Sequence, residues 1–237
     1  MKITMITHTP NPEKVVAAAA KLCYSPATGE ELYKGLTDKK AKEFVERLMK
    51  MGHESPLEHA SFTFAVDGIS RACSHQLVRH RLASYSQKSQ RYVEEGLFDY
   101  VIPPEIEQNK LARMYFEIEM AYSKTVYKDI TKLLEQEGRT KEQAREDARF
   151  VLPNACCTNI VVTMNARQLL HFFEVRCCNR AQWEIREMAD EMLRQCREVA
   201  PVLFGNAGPG CINGKGCPEG QMSCGKPRED LKKRLVK

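Results

Sequence analysis

Residues 79–92 read Arg79-His80-Arg81-Leu82-Ala83-Ser84-Tyr85-Ser86-Gln87-Lys88-Ser89-Gln90-Arg91-Tyr92. Three basic side chains lead into a run of hydroxyls and amides that a further arginine closes. The composition suits an anion: arginine presents a rigid fork of donors that matches phosphate, and Ser and Gln supply neutral donors and acceptors for a base or sugar. Charge alone leaves a second reading open, in which Arg79-His80-Arg81 is the solvated end of a helix.

Two other stretches carry chemistry. Ser55-Pro56-Leu57-Glu58 has the order of a helix start, with Ser55 as N-cap, Pro56 in the first turn and Glu58 three residues after the cap. Such an end attracts anions through its free amides, although these residues also suffice merely to begin a helix. His53, Glu58 and His59 raise the thought of a metal, but His59 abuts an expected strand and no further carboxylate completes a set. If 165–178 is helical, Asn165, Leu169, Phe172 and Arg176 share one face, while Arg167 and His171 share another. Arg176 then projects from a largely apolar stripe, where a guanidinium requires either a carboxylate partner or a ligand.

With 237 residues, 43% of them hydrophobic and 28% charged, the chain has the composition of a globular protein. No apolar run approaches the length of a bilayer, and Met1-Lys2-Ile3-Thr4 opens no secretion signal, which places the protein in the cytoplasm with no membrane partner. The ten cysteines then read as reduced thiols, mostly small core residues; Cys156-Cys157 and Cys177-Cys178 are adjacent pairs, which rarely bridge. The net charge of +5 is concentrated at one end: residues 226–237 hold six Lys or Arg against Glu229 and Asp230, leaving +1 for the remainder. That tail reads as a solubilising one.

Ile3–His8, Ser61–Val66 and Ile160–Thr163 carry strand signals, either alternation or β-branched runs. Thr37-Asp38 opens a helix with Ala41, Phe44, Val45 and Leu48 on one face, stopped by Gly52. The longest helix is expected from after Pro103-Pro104 to Gly138, with Leu111, Met114, Ile118, Tyr122, Thr125 and Leu133 near helical spacing. Thr140 and Gln143 occupy capping-box positions for another that ends before Pro153. A last one, from about Gln182 to Phe204, aligns Ile185, Met188, Met192, Cys196, Val199 and Leu203. These proportions predict an α+β fold, a helix-rich single domain with a small antiparallel or mixed sheet. After Gly205 the composition turns abruptly to Gly, Pro, Cys and Lys, so residues 1–205 are read as one domain and 206–237 as an appendage.

Arg-His-Arg, seven residues, Ser89 and then Arg91-Tyr92 resemble the signature run of the flavin-dependent thymidylate synthases, without a gap. His53-Glu54-Ser55-Pro56-Leu57-Glu58-His59, Arg149 before Val151-Leu152-Pro153, Asn165-Ala166-Arg167, and Arg176 followed by Ala181-Gln182-Trp183-Glu184-Ile185 resemble that family's other blocks in the family's order. The likeness covers about residues 1–205. It implies reductive methylation of dUMP to dTMP, with 5,10-methylenetetrahydrofolate as carbon donor and NADPH supplying a hydride through FAD. It implies that Gln76, Leu77, Val78, Arg79, Gln87, Lys88, Ser89, Gln90, Arg91, Arg149 and Arg176 bind dUMP, Arg176 lying against the uracil as the catalytic cation. It implies that His53, Ser55, Arg79, His80, Arg81, Gln87, Asn165, Ala166, Arg167 and His171 bind FAD, His171 standing where the residue type varies in the family. A homotetramer with sites shared between subunits is implied as well.

The other kind of thymidylate synthase attacks its substrate with a cysteine in a Pro-Cys-His-Gln setting, whereas Cys73-Ser74-His75-Gln76 is out of register and has no preceding Pro. Neither a phosphate loop nor a Gly-x-Gly-x-x-Gly fingerprint is present, so the Arg-rich segments must hold the flavin. Ser89 reads as a ligand, since no base is positioned by sequence to activate it. A nucleic-acid binder using the tail would need aromatics among its basic residues, and the tail has none. A flavin-free nucleotide hydrolase would need a carboxylate cluster for a metal. Cys211, Cys217 and Cys224, at spacings of six and seven, make a zinc candidate one ligand short, so no metal is expected.

Overall fold

The computed structural model of the chain describes residues 1–233. Four strands, β1 (Lys2–His8), β2 (Ser61–Ser70), β3 (Ala83–Gln87) and β4 (Cys157–Asn165), form an open antiparallel sheet in the order β1-β2-β4-β3. Helices make up most of the rest, so the fold is α+β as expected. The three predicted strands are present, each longer than its sequence signal. The fourth, β3, lies inside the signature run itself, where Ala83-Ser84-Tyr85-Ser86-Gln87 alternates half-buried with exposed residues.

The chain divides into two compact units, each discontinuous in sequence. The first comprises residues 1–2, 66–79 and 86–160; the second comprises 3–65, 80–85 and 161 onward. In the first unit the expected long helix is two, Pro104–Gln108 and Lys110–Gln136. The break falls at Asn109, whose side chain accepts from the amides of Leu111 and Ala112 and so starts a new helix. Only Met120, Ser123 and Tyr127 of the longer helix are buried. The periodic stripe of Leu111, Met114, Ile118, Tyr122, Thr125 and Leu133 points outward, with Ile118 at 57% and Tyr122 at 64% exposure. Phe98, Met120 and Cys156 form a local core against which Tyr100, Phe116 and Leu152 pack. Thr140 and Gln143 close their reciprocal capping box, and the helix Lys141–Ala148 runs into a 3-10 turn at Arg149–Val151.

In the second unit, Thr37 caps the helix Asp38–Met51 through the Lys40 amide, and Gly52 at φ 72° ends it in the left-handed region that glycine enters without cost. Ala41, Val45 and Leu48 are its buried face, with Phe44 half-buried. Phe62, Phe172, Phe173 and Phe204 meet edge to face and are fully buried, each contributing about 1.5–3 kcal/mol of transfer free energy. The last predicted helix is also two, Trp183–Val199 and Pro201–Phe204, because Pro201 cannot donate the next backbone bond.

Residues 206–233 are stitched to this unit by arginines; the final four residues of the expected appendage lie outside the described ones. Arg197 donates to the carbonyls of Phe204, Ala207 and Leu231. Arg228, 7% exposed, donates to the Cys177 carbonyl at 2.6 Å and to the carboxylates of Asp190 and Asp230. A charge so deeply placed is tolerated because each face of the fork finds an acceptor.

Candidate functional site

Asn165 ends β4 and caps the helix Ala166–Arg176, its side chain accepting from the Gln168 amide at 2.9 Å. That cap sets which residues face where. Leu169, Phe172 and Phe173 go into the core, and Arg176 emerges in the last turn. Its Nε donates to Nε2 of His80 at 2.9 Å. Arginine can only donate, so His80 accepts there and carries its proton on Nδ1. Burial, then the Arg176 charge, then His171, push the His80 pKa down to about 4. A neutral imidazole is thus one partner of Arg176, and it orients the guanidinium through Nε. His80 also stacks edge-on against Phe172 at 4.9 Å and faces the ring of exposed His171 at 6.2 Å. Tyr85 Oη donates to the His80 carbonyl, tying β3 to the turn that carries this histidine.

Arg167 is exposed and meets two carboxylates, Glu58 at 2.5 Å and Glu54 at 3.4 Å. These belong to the predicted His53–His59 block, but its local structure differs from the expectation. Ser55–His59 is a single 3-10 turn capped by Glu54 without a side-chain bond, so Ser55 sits inside the turn and is not the N-cap. With β2 starting at Ser61, too few residues remain to propagate an α-helix, so no helix macrodipole draws an anion to Ser55. His53 and Ser55 are both exposed beside the Arg167 partners.

In the first unit, the helix Arg71–Leu77 carries half-buried Gln76 and ends at Val78 and exposed Arg79. Gln87 donates to the hydroxyls of Ser74 and Thr158. Lys88 pairs with buried Glu95 at 3.0 Å. Ser89 Oγ accepts from the Arg91 amide, and Gln90 reaches the Cys156 sulfur at 3.9 Å. Arg91 meets the Glu146 carboxylate at 3.2 Å, and Arg149 Nε donates to the Glu146 carbonyl at 3.2 Å. One residue of the Lys141–Ala148 helix therefore touches two arginines of the predicted set. Sequence reading missed both Glu146 and Arg71, whose guanidinium holds the Lys88 carbonyl at 2.8 Å; no local spacing announces either.

The donor chemistry suits phosphorylated ligands. Nε of Arg71, of Arg91 and of Arg145 is buried with no hydrogen-bond partner, an uncommon expense for a charged group unless an acceptor comes from outside. Arg81 and Arg167 are exposed, and pairs like Arg167–Glu58 contribute only about 0–1 kcal/mol, so a diphosphate displaces such carboxylates at little cost. The residues present thus fit a flavin dinucleotide. Among the described residues, no group of three His, Cys, Asp or Glu side chains is gathered to hold a metal ion.

The profile of the family described as thymidylate synthase complementing protein matches residues 4–202. The chain is 55% identical to a flavin-dependent thymidylate synthase of Clostridium tetani over 97% of this chain and 95% of the relative. It is 50% identical to one from Nitratidesulfovibrio vulgaris, over 95% and 94%, and 40% identical to one from Pyrococcus furiosus, over 92% and 90%.

Proposed function

We infer the activity of this chain from the family to which it belongs, that of the thymidylate synthase complementing proteins. It is a flavin-dependent thymidylate synthase, converting dUMP to dTMP with 5,10-methylenetetrahydrofolate as carbon donor and NADPH as reductant. The observation that carries this is the family match across nearly all of residues 1–205 together with an Arg-rich run that has buried, unmatched donors. When bound, FAD relays the hydride of NADPH, the redox step that protein side chains cannot perform.

The chain's own residues bind, orient and polarise. Arginine carries a planar cationic fork, and the neutral His80 accepts from the Nε of Arg176 and so orients it. Against the uracil that cation favours ionised N3 and activates the ring. Gln76 to Arg79, Gln87 to Arg91 and Arg149 are assigned to dUMP, with Arg91 and Arg149 as the phosphate donors. Support comes from the unmatched Nε of Arg91 and the shared contact of both arginines with Glu146. Ser89 is a ligand: its oxygen accepts the Arg91 amide. His53, Ser55, Arg79 to Arg81, Gln87, Asn165 to Arg167 and His171 are assigned to FAD, supported by the exchangeable pairing of Arg167.

The outward apolar stripe of Lys110–Gln136 supports a homo-oligomer, a tetramer in this family. Among the described residues no helix is long and apolar enough to cross a membrane. A cytoplasmic location follows from substrates too highly charged to cross one. Residues 1–205 are assigned as the catalytic domain and 206–237 as an appendage, supported by the end of the family match at residue 202. Purified protein should be yellow or become so with FAD, and NADPH should bleach it under nitrogen. No flavin binding in a titration would refute the assignment.

A further inference from the structure

Three cysteines after Gly205 leave a zinc site one ligand short in sequence, and a fourth thiol stands on the wall of the cavity they share. This cavity, of about 590 Å³, is lined by Cys211, Cys217 and Cys224 from the appendage and by Cys178 from the loop that follows the Arg176 helix. The neighbouring Cys177 is excluded: it is buried, and its thiol is engaged by Asp190. None of the four is in a disulfide.

Three further features suit thiolate coordination. Gly216, just before Cys217, and Gly225, just after Cys224, have φ of 80° and 65°, turns that wrap backbone around a ligand sulfur. The Asn179 amide donates to the Lys226 carbonyl at 2.8 Å and lies 4.0 Å from the Cys224 sulfur, whose thiol donates to the same carbonyl at 3.4 Å with a proton that metal binding would release. Lys226 lines the same cavity, and a zinc ion with four thiolates carries two net negative charges that its cation offsets in part. Beyond the contacts of Arg197 and Arg228, no disulfide holds the segment among the described residues. Of the hydrophobic side chains in 206–233 only Ala207 and Leu231 are buried, and stretches this short usually need a metal or disulfide to hold one shape.

We propose that Cys178, Cys211, Cys217 and Cys224 bind a structural zinc ion tetrahedrally, fastening the appendage to the loop two residues beyond Arg176. In the structure the four thiols line one cavity without converging into a coordination set. Binding therefore includes inward movement of the glycine-hinged loops and release of the thiol protons to solvent.

The test uses the full-length, tag-free protein, purified without chelators and measured for metal, flavin and free thiols. About one zinc per chain should survive dialysis, and cobalt put in its place should show the intense absorption of a tetrahedral thiolate complex. Cys178→Ala should fall below about a tenth of that stoichiometry while keeping its flavin; Cys23→Ala, altering an exposed cysteine outside the cavity, should match the parent. No retained zinc, an octahedral cobalt spectrum, or undiminished metal in Cys178→Ala would each overturn the site. So would the loss of two free thiols on isolation, which marks a disulfide instead. Metal is read without substrate or turnover, so this result and the enzymatic one stand or fall separately.

Discussion

His80 titrates in an unusual place, and its charge state can be weighed through stability. Burial first, then the Arg176 cation, then His171, hold its pKa at about 4 in the folded chain, against 6.5 for an unperturbed imidazole. The unfolded chain takes up the proton on passing below pH 6.5, but the folded chain does so only near pH 4. Between those values the unfolded state binds more protons, so stability falls as pH is lowered across the window and is unaffected by this group above it. At about 1.36 kcal/mol per pH unit the full gap corresponds to about 3 kcal/mol, of which about 2.5 kcal/mol is lost by pH 4.5. His80→Gln keeps an acceptor for Arg176 Nε and removes the titration. Denaturant unfolding of parent and variant at pH 7.5 and 4.5, at one protein concentration because assembly contributes by mass action, cancels the carboxylates common to both. The parent should lose about 2.5 kcal/mol more than His80→Gln. Equal losses would show that His80 takes up its proton in the fold at the same pH as in the unfolded chain, so that it does not stay neutral against Arg176.

Arg176→Ala should keep its FAD but lose at least about tenfold in dUMP affinity and turnover, roughly 1.4 kcal/mol, and Arg176→Lys should recover little because it lacks the planar fork; unchanged dUMP affinity in a folded, flavin-loaded variant would mean the wrong arginine. Replacing Ile118 and Tyr122 together with Glu places two charges in the outward stripe and should lower the mass seen by light scattering, whereas a full-sized assembly would show that this stripe is not the subunit contact.

Helix boundaries were the most legible part of the chain, because caps are local chemistry: Thr37 and Thr140 each bond an amide three residues on. Ser55 carried the same signal and failed, since β2 begins too soon afterwards for an α-helix to propagate. The Lys110–Gln136 stripe had the right period, and it faces outward; periodicity says that residues share a face, and only the rest of the fold decides whether solvent or core meets it. β3 was hidden because its Ser84, Ser86 and Gln87 read as binding chemistry, and one segment can be both strand and ligand surface. Arg176 was picked out by its apolar neighbours, but its partner His80 lies 96 residues away, beyond the reach of any spacing rule. Cys178 was masked in the same way, adjacent in sequence to a core thiol and remote from the cysteines whose cavity it shares.

Arg197 holds the carbonyls of Phe204 and Ala207 with two of its nitrogens and that of Leu231 with the third. The start and finish of the C-terminal segment are thereby pinched together on one guanidinium, as a drawstring closes a bag. A protease nicking the exposed Lys215–Gly220 stretch would leave both pieces in place, and the molecule would migrate intact through gel filtration while showing two bands on a denaturing gel.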